Sequence, residues 1–260
     1  MKLYFSYIRM VFRSVVEYRA NFWMMTVGQF IGGFSAFAGM AMLFSRFGAL
    51  DNWSFGEVAL CFGIINVANT VGSAFTRGFH FFDHIIMNGD FDRFLLRPRT
   101  TIIQIMGNNF GFGRIGGLIQ SFAVLLLGIF MTDIVWSADK IIVLTLMILS
   151  AIAIFVGLAV IYATICFYTI EGLEILNIIE DGGKEMASYP MTIFSRWMRY
   201  FFTFIIPFGC VNYIPLMYLT GRTESYRLLH IMLPLTGLFF LLPCSFLWRM
   251  GVKKYSSTGT

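Results

Sequence analysis

Long apolar runs alternate with short polar stretches along this chain, and the runs have the length of membrane crossings. They cover about 22–46, 57–78, 101–131, 141–169, 198–219 and 229–249, the third entering the bilayer fully near Gly116. A hydrocarbon core of about 30 Å takes roughly 20 apolar residues as a helix. A helix also satisfies its own backbone hydrogen bonds, which lipid cannot do. The pattern predicts an all-α integral membrane protein with six transmembrane helices over residues 21–260. Residues 1–20 read differently. Leu3, Tyr4, Ile8, Val11, Phe12, Val15 and Val16 are interleaved with Arg9, Arg13, Glu17 and Arg19. That is the mixture of an amphipathic interfacial helix, serving either as an anchor or as a connecting helix that touches a cytoplasmic partner. Residues 170–197 are polar and predict a short helix and a loop between the fourth and fifth spans.

Charge adds an orientation. Six spans place both termini on one side. On that side lie fourteen basic residues (Lys2 to Arg19, Arg77 to Arg99, Lys184 to Arg199, Arg249 to Lys254), against four on the other (Arg46, Lys140, Arg222, Arg227), leaving Arg114 aside. The positive-inside rule then makes both termini cytoplasmic. Trp23, Trp197 and Trp248 fall at the inner ends of this arrangement, Trp53 and Trp136 near the outer ones. The net charge of +5 is spread over several loops rather than one stripe, which argues against nucleic acid.

Composition narrows the function. Hydrophobic residues make up 58% and charged residues 13%, with a mean hydropathy of +0.75. No room is left for an ATPase domain, and no G-x-x-x-x-G-K-[ST] loop occurs. The four cysteines lie inside apolar runs and read as small hydrophobes, not as a disulfide or metal framework. His80 and His84 have i, i+4 spacing but lack the glutamate a zinc protease places after the first histidine. Gly111-Phe-Gly-Arg-Ile-Gly116 matches a dinucleotide loop only as letters, since no strand precedes it; close helix packing is the stronger reading. Arg114 within it is a charge inside a span, and so a candidate for pairing or for facing cargo.

The most informative polar stretch is Gly89-Asp-Phe-Asp-Arg-Phe-Leu-Leu-Arg-Pro-Arg99, between spans two and three. Glycine opens it and Pro98 closes it. Asp90 and Asp92 sit at the start and Arg93 and Arg97 toward the end, the order a helix dipole favours. Phe91, Phe94, Leu95 and Leu96 supply an apolar face, suited to docking on a partner or to resting on lipid. Further along, Pro207 breaks the hydrogen-bond ladder of the fifth span, and Pro215 does so again two turns later. Backbone interrupted in this way is tolerated where it packs on protein or lines a cavity.

At Gly89, Asp90, Leu95, Leu96 and Pro98 the chain resembles the membrane subunits of type-2 ABC exporters, with one residue fewer between the leucines and the proline than the family pattern has. Tyr189, Pro190, Ile193, Phe194, Arg199, Ile206, Pro207, Phe208, Asn212, Tyr213 and Pro215 resemble a segment of an uncharacterised bacterial branch of these permeases. The resemblance implies that Asp90 to Arg97 form a coupling helix that fits a separate cytoplasmic ABC ATPase, present in two copies and carrying the ATP and magnesium. It implies a second permease subunit, the same or related, and re-entrant elements around Pro207, Phe208, Asn212, Tyr213 and Pro215 at an extracellular gate. Cargo would pass against the first, second and fifth spans, where Phe30, Phe34 and Phe37 form an aromatic stripe and Arg114 a charged point; helix packing or lipid contact accounts equally for the stripe. The chain itself is then a non-catalytic permease of the cell membrane with no cofactor of its own. The alternatives are an ATP-independent secondary transporter or channel, and a membrane-embedded enzyme or sensor. The first needs titratable groups within the spans, where few are apparent. The second needs a clustered polar site, for which only Arg114, Asn66, Asn69, Asn108 and Asn109 offer themselves.

Overall fold

A computed structural model describes residue 17 and residues 19–108, 110–169, 174–223 and 227–256. Within them the chain is helical, apart from turns and one isolated bridge between Leu50 and Trp53. Most of the expected connecting helix, including Arg9 and Arg13, lies outside the described residues. Five helices are long and apolar enough to cross a membrane, or six if one sharply bent pair counts as a crossing.

Helix α1 (Arg19–Phe47) is buried along little of its length, whereas α2 (Phe55–His80) is buried along most of it. After α2 the chain makes three short helices, α3 (Phe82–Met87), α4 (Phe91–Leu95) and α5 (Thr101–Asn108). A tight turn at Phe112–Arg114 then leads into α6 (Ile115–Met131), so the third expected span is broken. Helix α7 (Ala138–Thr169) is the longest straight crossing. Helix α8 (Glu174–Ala187) is polar and short. The fifth expected span is not one helix. Arg196–Ile205, containing α9 (Arg196–Tyr200) and a π-type turn, meets Gly209–Leu219, containing a second π-type turn and α10 (Ile214–Leu219), at 86°. The chain closes with α11 (Arg227–Met232), α12 (Leu235–Phe239) and α13 (Leu241–Lys254).

The core is α2 clasped by α6 and α7, with α13 on the far side of α7 and α1 on the outside of α6. Helices α2 and α6 approach closely through glycine. A Cβ on Gly63 would lie 2.5 Å from the Leu125 Cα, and one on Gly128 2.5 Å from the Leu60 amide nitrogen. No side chain fits at either point, so the two backbones meet directly, as small-residue packing allows where lipid supplies no hydrophobic drive.

Two ends of the bundle can be told apart. At one, here called basal, lie Arg19, His80, Thr101 and Lys254; Met25 packs by Gly113, and the Trp248 Nε1 donates to the Thr101 Oγ1 at 3.0 Å. At the other, apical, end lie the Phe47–Phe55 turn, Ser137 and Arg222. Helix α8 climbs from the basal end along α2 until the Ala187 carbonyl accepts from the Cys61 thiol at 3.3 Å. Residues 196–219 therefore begin well up the bundle, and Arg199 lies beside Tyr213, whose ring packs on Trp53. This corrects the charge count. Arg196 and Arg199 belong to the apical end, as does Trp197, because α8 has already carried the chain across. Among the described residues, Arg114 aside, the bias is then nine against six, still toward the basal end.

Candidate functional site

Helix α2 carries Asn69, Ser73, Arg77 and His80 at steps of four, four and three, which puts them on one face. Helix α8 carries Asn177, Glu180, Asp181 and Lys184, at i, i+3, i+4 and i+7 and so also on one face. The two polar stripes face each other across a cavity of about 610 Å³. Helix α1 closes one side with Met25, Gly28 and Gln29, and the turn before α6 adds Gly113 and Arg114. From Asn69 to His80 the cavity follows α2 for roughly 16 Å, about half of a bilayer core.

Each wall is held in place by its own chemistry. The chain breaks between α5 and α6, and the Gly111 amide, with no helical acceptor, donates to the Ala74 carbonyl of α2 at 2.9 Å. That anchor presents Arg114, half-buried, to the cavity. The upper end of α8 is pinned by a buried polar knot. The Asn66 Nδ2 donates to the Phe62 carbonyl at 2.9 Å and to the Ser188 hydroxyl at 3.3 Å, while the Ser188 hydroxyl donates to the Lys184 carbonyl at 2.8 Å. The Asn212 Nδ2 donates to the Ala187 carbonyl at 2.8 Å and contacts the Cys61 Sγ at 3.1 Å. Buried polar groups without such partners would cost free energy.

The charges in the cavity are mixed. His80 Nε2 stands 3.9 Å from a Glu180 carboxylate oxygen that is largely buried. Lys184 pairs with Glu185 at 3.4 Å. Arg114 lies within electrostatic reach of Arg77, Glu180 and Asp181. The polar segment after α7 is the expected short helix and loop, and the helix packs against α2, bringing Glu180 and Asp181 to the cavity.

The other expected residues fall in three places. Arg114 joins the cavity. Phe30 and Phe34 do not: they stack on the exposed face of α1 with ring centroids 6.5 Å apart, and Phe37 packs on Phe55 and Phe62. Glu17 and Arg19 are exposed at the basal end. His80 faces the cavity, but the helix ends there, and His84 sits exposed on α3, so the two histidines share no continuous face.

The stretch 89–99 forms a helix only over α4. Gly89 takes a φ of +70°, the left-handed turn that starts it. Phe91 and Phe94 are buried, and Phe91 inserts among Phe82, Phe167, Trp248 and Tyr255. Buried Gln104 ties the loop down, its Nε2 donating to the Phe94 and Arg99 carbonyls, each at 3.1 Å. Leu95 and Leu96 remain exposed, Leu96 at 85%, with Asp90 and Arg93 paired at 3.3 Å on the surface. Asp92 is half-buried and Arg97 exposed. The apolar face expected to dock is therefore divided: the phenylalanines anchor and the leucines protrude.

Around Pro207 the chain turns sharply, and Phe208 is fully buried against Phe155 and Phe202. Pro215 is not a second interruption. It lies where the π-type turn passes into α10, and the helix continues through it. At the apical surface Arg222 donates to both Glu57 carboxylate oxygens, at 3.0 and 2.8 Å, and to the Asn52 carbonyl at 2.7 Å, while its guanidinium lies 4.0 Å from the Trp53 ring centre. Sequence reasoning missed this clamp, as well as Gln29, Ser73, Arg77, Asn177, Glu180, Asp181 and Lys184; the i, i+4 polar spacing on α2 and α8 was the available signal.

Against known proteins, residues 30–259 match the family model described as ABC-2 family transporter protein. No curated protein and no solved structure matches the chain.

Proposed function

The chain belongs to the ABC-2 transporter family, and from that membership we propose that it is the permease subunit of an ATP-driven exporter. In this reading two permease subunits, the same or related, form the path, and two copies of a separate cytoplasmic ATPase drive it. ATP and magnesium reside on those partners, and the permease makes or breaks no bond. The basal end faces the cytoplasm, as its excess of basic residues favours.

The observation that carries this reading is the build of α4. It is a small rigid knob whose phenylalanines are sunk in an aromatic cluster spanning α3, α7 and α13, and whose leucines point outward. A push on Leu95 and Leu96 reaches α7 and α13 through packed rings, which transmit displacement because interiors are dense. The polar cavity lies at the same end, so basal motion acts where cargo would enter.

A second reading, ATP-independent transport, is favoured by one observation: Glu180, Asp181 and His80 line one cavity. A pull-down separates the two. The tagged chain, gently extracted, is expected to bring down an ATPase with measurable hydrolysis, and Leu95→Glu or Leu96→Glu to abolish capture while the chain remains folded. Wild-type chain that captures no ATPase would rule out the ATP-driven reading.

A further inference from the structure

We propose that the cavity between α1, α2, the Phe112–Arg114 turn and α8 binds the zwitterionic head group of an amphiphile that enters from the bilayer. Its phosphate lies toward Arg77 and Arg114, and its ammonium toward Glu180 and Asp181. That such an amphiphile is the cargo rests on the permease reading above; the binding site itself does not.

Charge balance is the first argument. Lys184 is engaged by Glu185 at 3.4 Å, and the His80 imidazole carries a charge only when protonated. Two guanidiniums and two carboxylates remain. Among the described residues neither Arg77 nor Arg114 forms a salt bridge. Guanidinium recognises phosphate through parallel hydrogen bonds. A purely anionic ligand would meet the carboxylates, and a purely cationic one the guanidiniums.

Depth and rim are the second argument. A site for surface lipid would stay at the interface, but this cavity runs about 16 Å along α2, with Gln29, Asn69, Ser73 and Asn177 available to replace water around a head group. Its rim is apolar and uncovered, with Met25 43% and Phe81 46% exposed. Met24, beside Met25 on α1, is exposed as well.

The test uses the full chain in maltoside micelles, followed by native mass spectrometry during titration with dioleoylphosphatidylethanolamine or the anionic dioleoylphosphatidylglycerol. Wild type is expected to bind the ethanolamine lipid about tenfold more tightly, the scale of one well-placed charged contact. Arg77→Ala/Arg114→Ala should weaken binding of both lipids, which share the phosphate, and Glu180→Gln/Asp181→Asn should abolish the preference or shift it toward phosphatidylglycerol. A folded arginine variant with wild-type affinity, a folded carboxylate variant with wild-type preference, or a wild type that favours phosphatidylglycerol would overturn the proposal. If the arginine variant does not fold, the carboxylate variant alone decides. No ATPase takes part in these measurements. An empty pull-down would therefore refute the permease reading and leave the head-group site standing, while unselective binding would do the reverse.

Discussion

At the scale of single residues, the apical clamp shows how one side chain joins distant segments. Arg222 makes a two-pronged contact with Glu57, caps the Asn52 carbonyl and covers Trp53. Glu57 also accepts from the Ser54 amide at 2.8 Å in the capping box that starts α2. Removing the arginine leaves a mostly buried carboxylate with only its cap. The guanidinium is itself one-third exposed, so solvent screening reduces the loss. We expect Arg222→Ala to cost about 1–2 kcal/mol, read as a fall of several degrees in thermal unfolding of the purified protein. Arg222→Lys should recover only part of it, because an ammonium cannot reproduce the fork. An unchanged midpoint for Arg222→Ala would show that the clamp is ornamental. In sequence this arginine was one of four outer-loop charges, and nothing local marked its partner 165 residues away.

At the scale of elements, the bundle depends on how closely α2 and α6 approach. Gly128→Val would drive a side chain into the Leu60 and Ala59 backbone, and overpacking costs about 1–3 kcal/mol even where neighbours can shift; backbone cannot. Gly28→Ala, with nothing within 4 Å of its Cβ, is the control. We expect the first to lose its monodisperse peak in fluorescence-detected size exclusion and the second to keep it; equal profiles would refute glycine-mediated contact. These elements also mark what could be read from the chain. The runs behind α1, α2, α6, α7 and α11 to α13 were legible because apolar length alone specifies a crossing. Helix α8 was legible as a short helix, but its place against α2 was not, because Glu180, Asp181 and Lys184 carry no local sign of the tertiary contact that lodges it there. Arg114 was singled out as a misplaced charge, but its partners sit on another element, so the cavity had no local signature. The Phe30 and Phe34 stripe drew attention through composition, and the structure leaves it on the uncovered side of α1.

At the scale of the whole molecule, the open question is which end meets which side of the membrane, and the position of α8 makes it testable at a point where sequence and structure disagree. A chain whose fifth crossing is 198–219 puts Ser195 on the same side as the C-terminal end. A chain in which α8 climbs along α2 puts Ser195 on the side of Ser137, since Arg199 lies beside Tyr213 and Tyr213 packs on Trp53. Single cysteines at Ser137, Ser195 and Ser256, all exposed in the structure, can be introduced with Cys210 replaced by serine, since Cys61, Cys166 and Cys244 are buried. A membrane-impermeant maleimide applied to intact cells should label Ser137→Cys and Ser195→Cys, and should reach Ser256→Cys only after permeabilisation. Labelling of Ser256→Cys alone in intact cells would invert the orientation drawn from the basic residues. Labelling of Ser195→Cys together with Ser256→Cys would instead remove α8 from the crossing set, and with it the wall that brings Glu180 and Asp181 to Arg77 and Arg114. The same three cysteines thus test both the cytoplasmic placement of α4 and the existence of the cavity on which cargo recognition is argued.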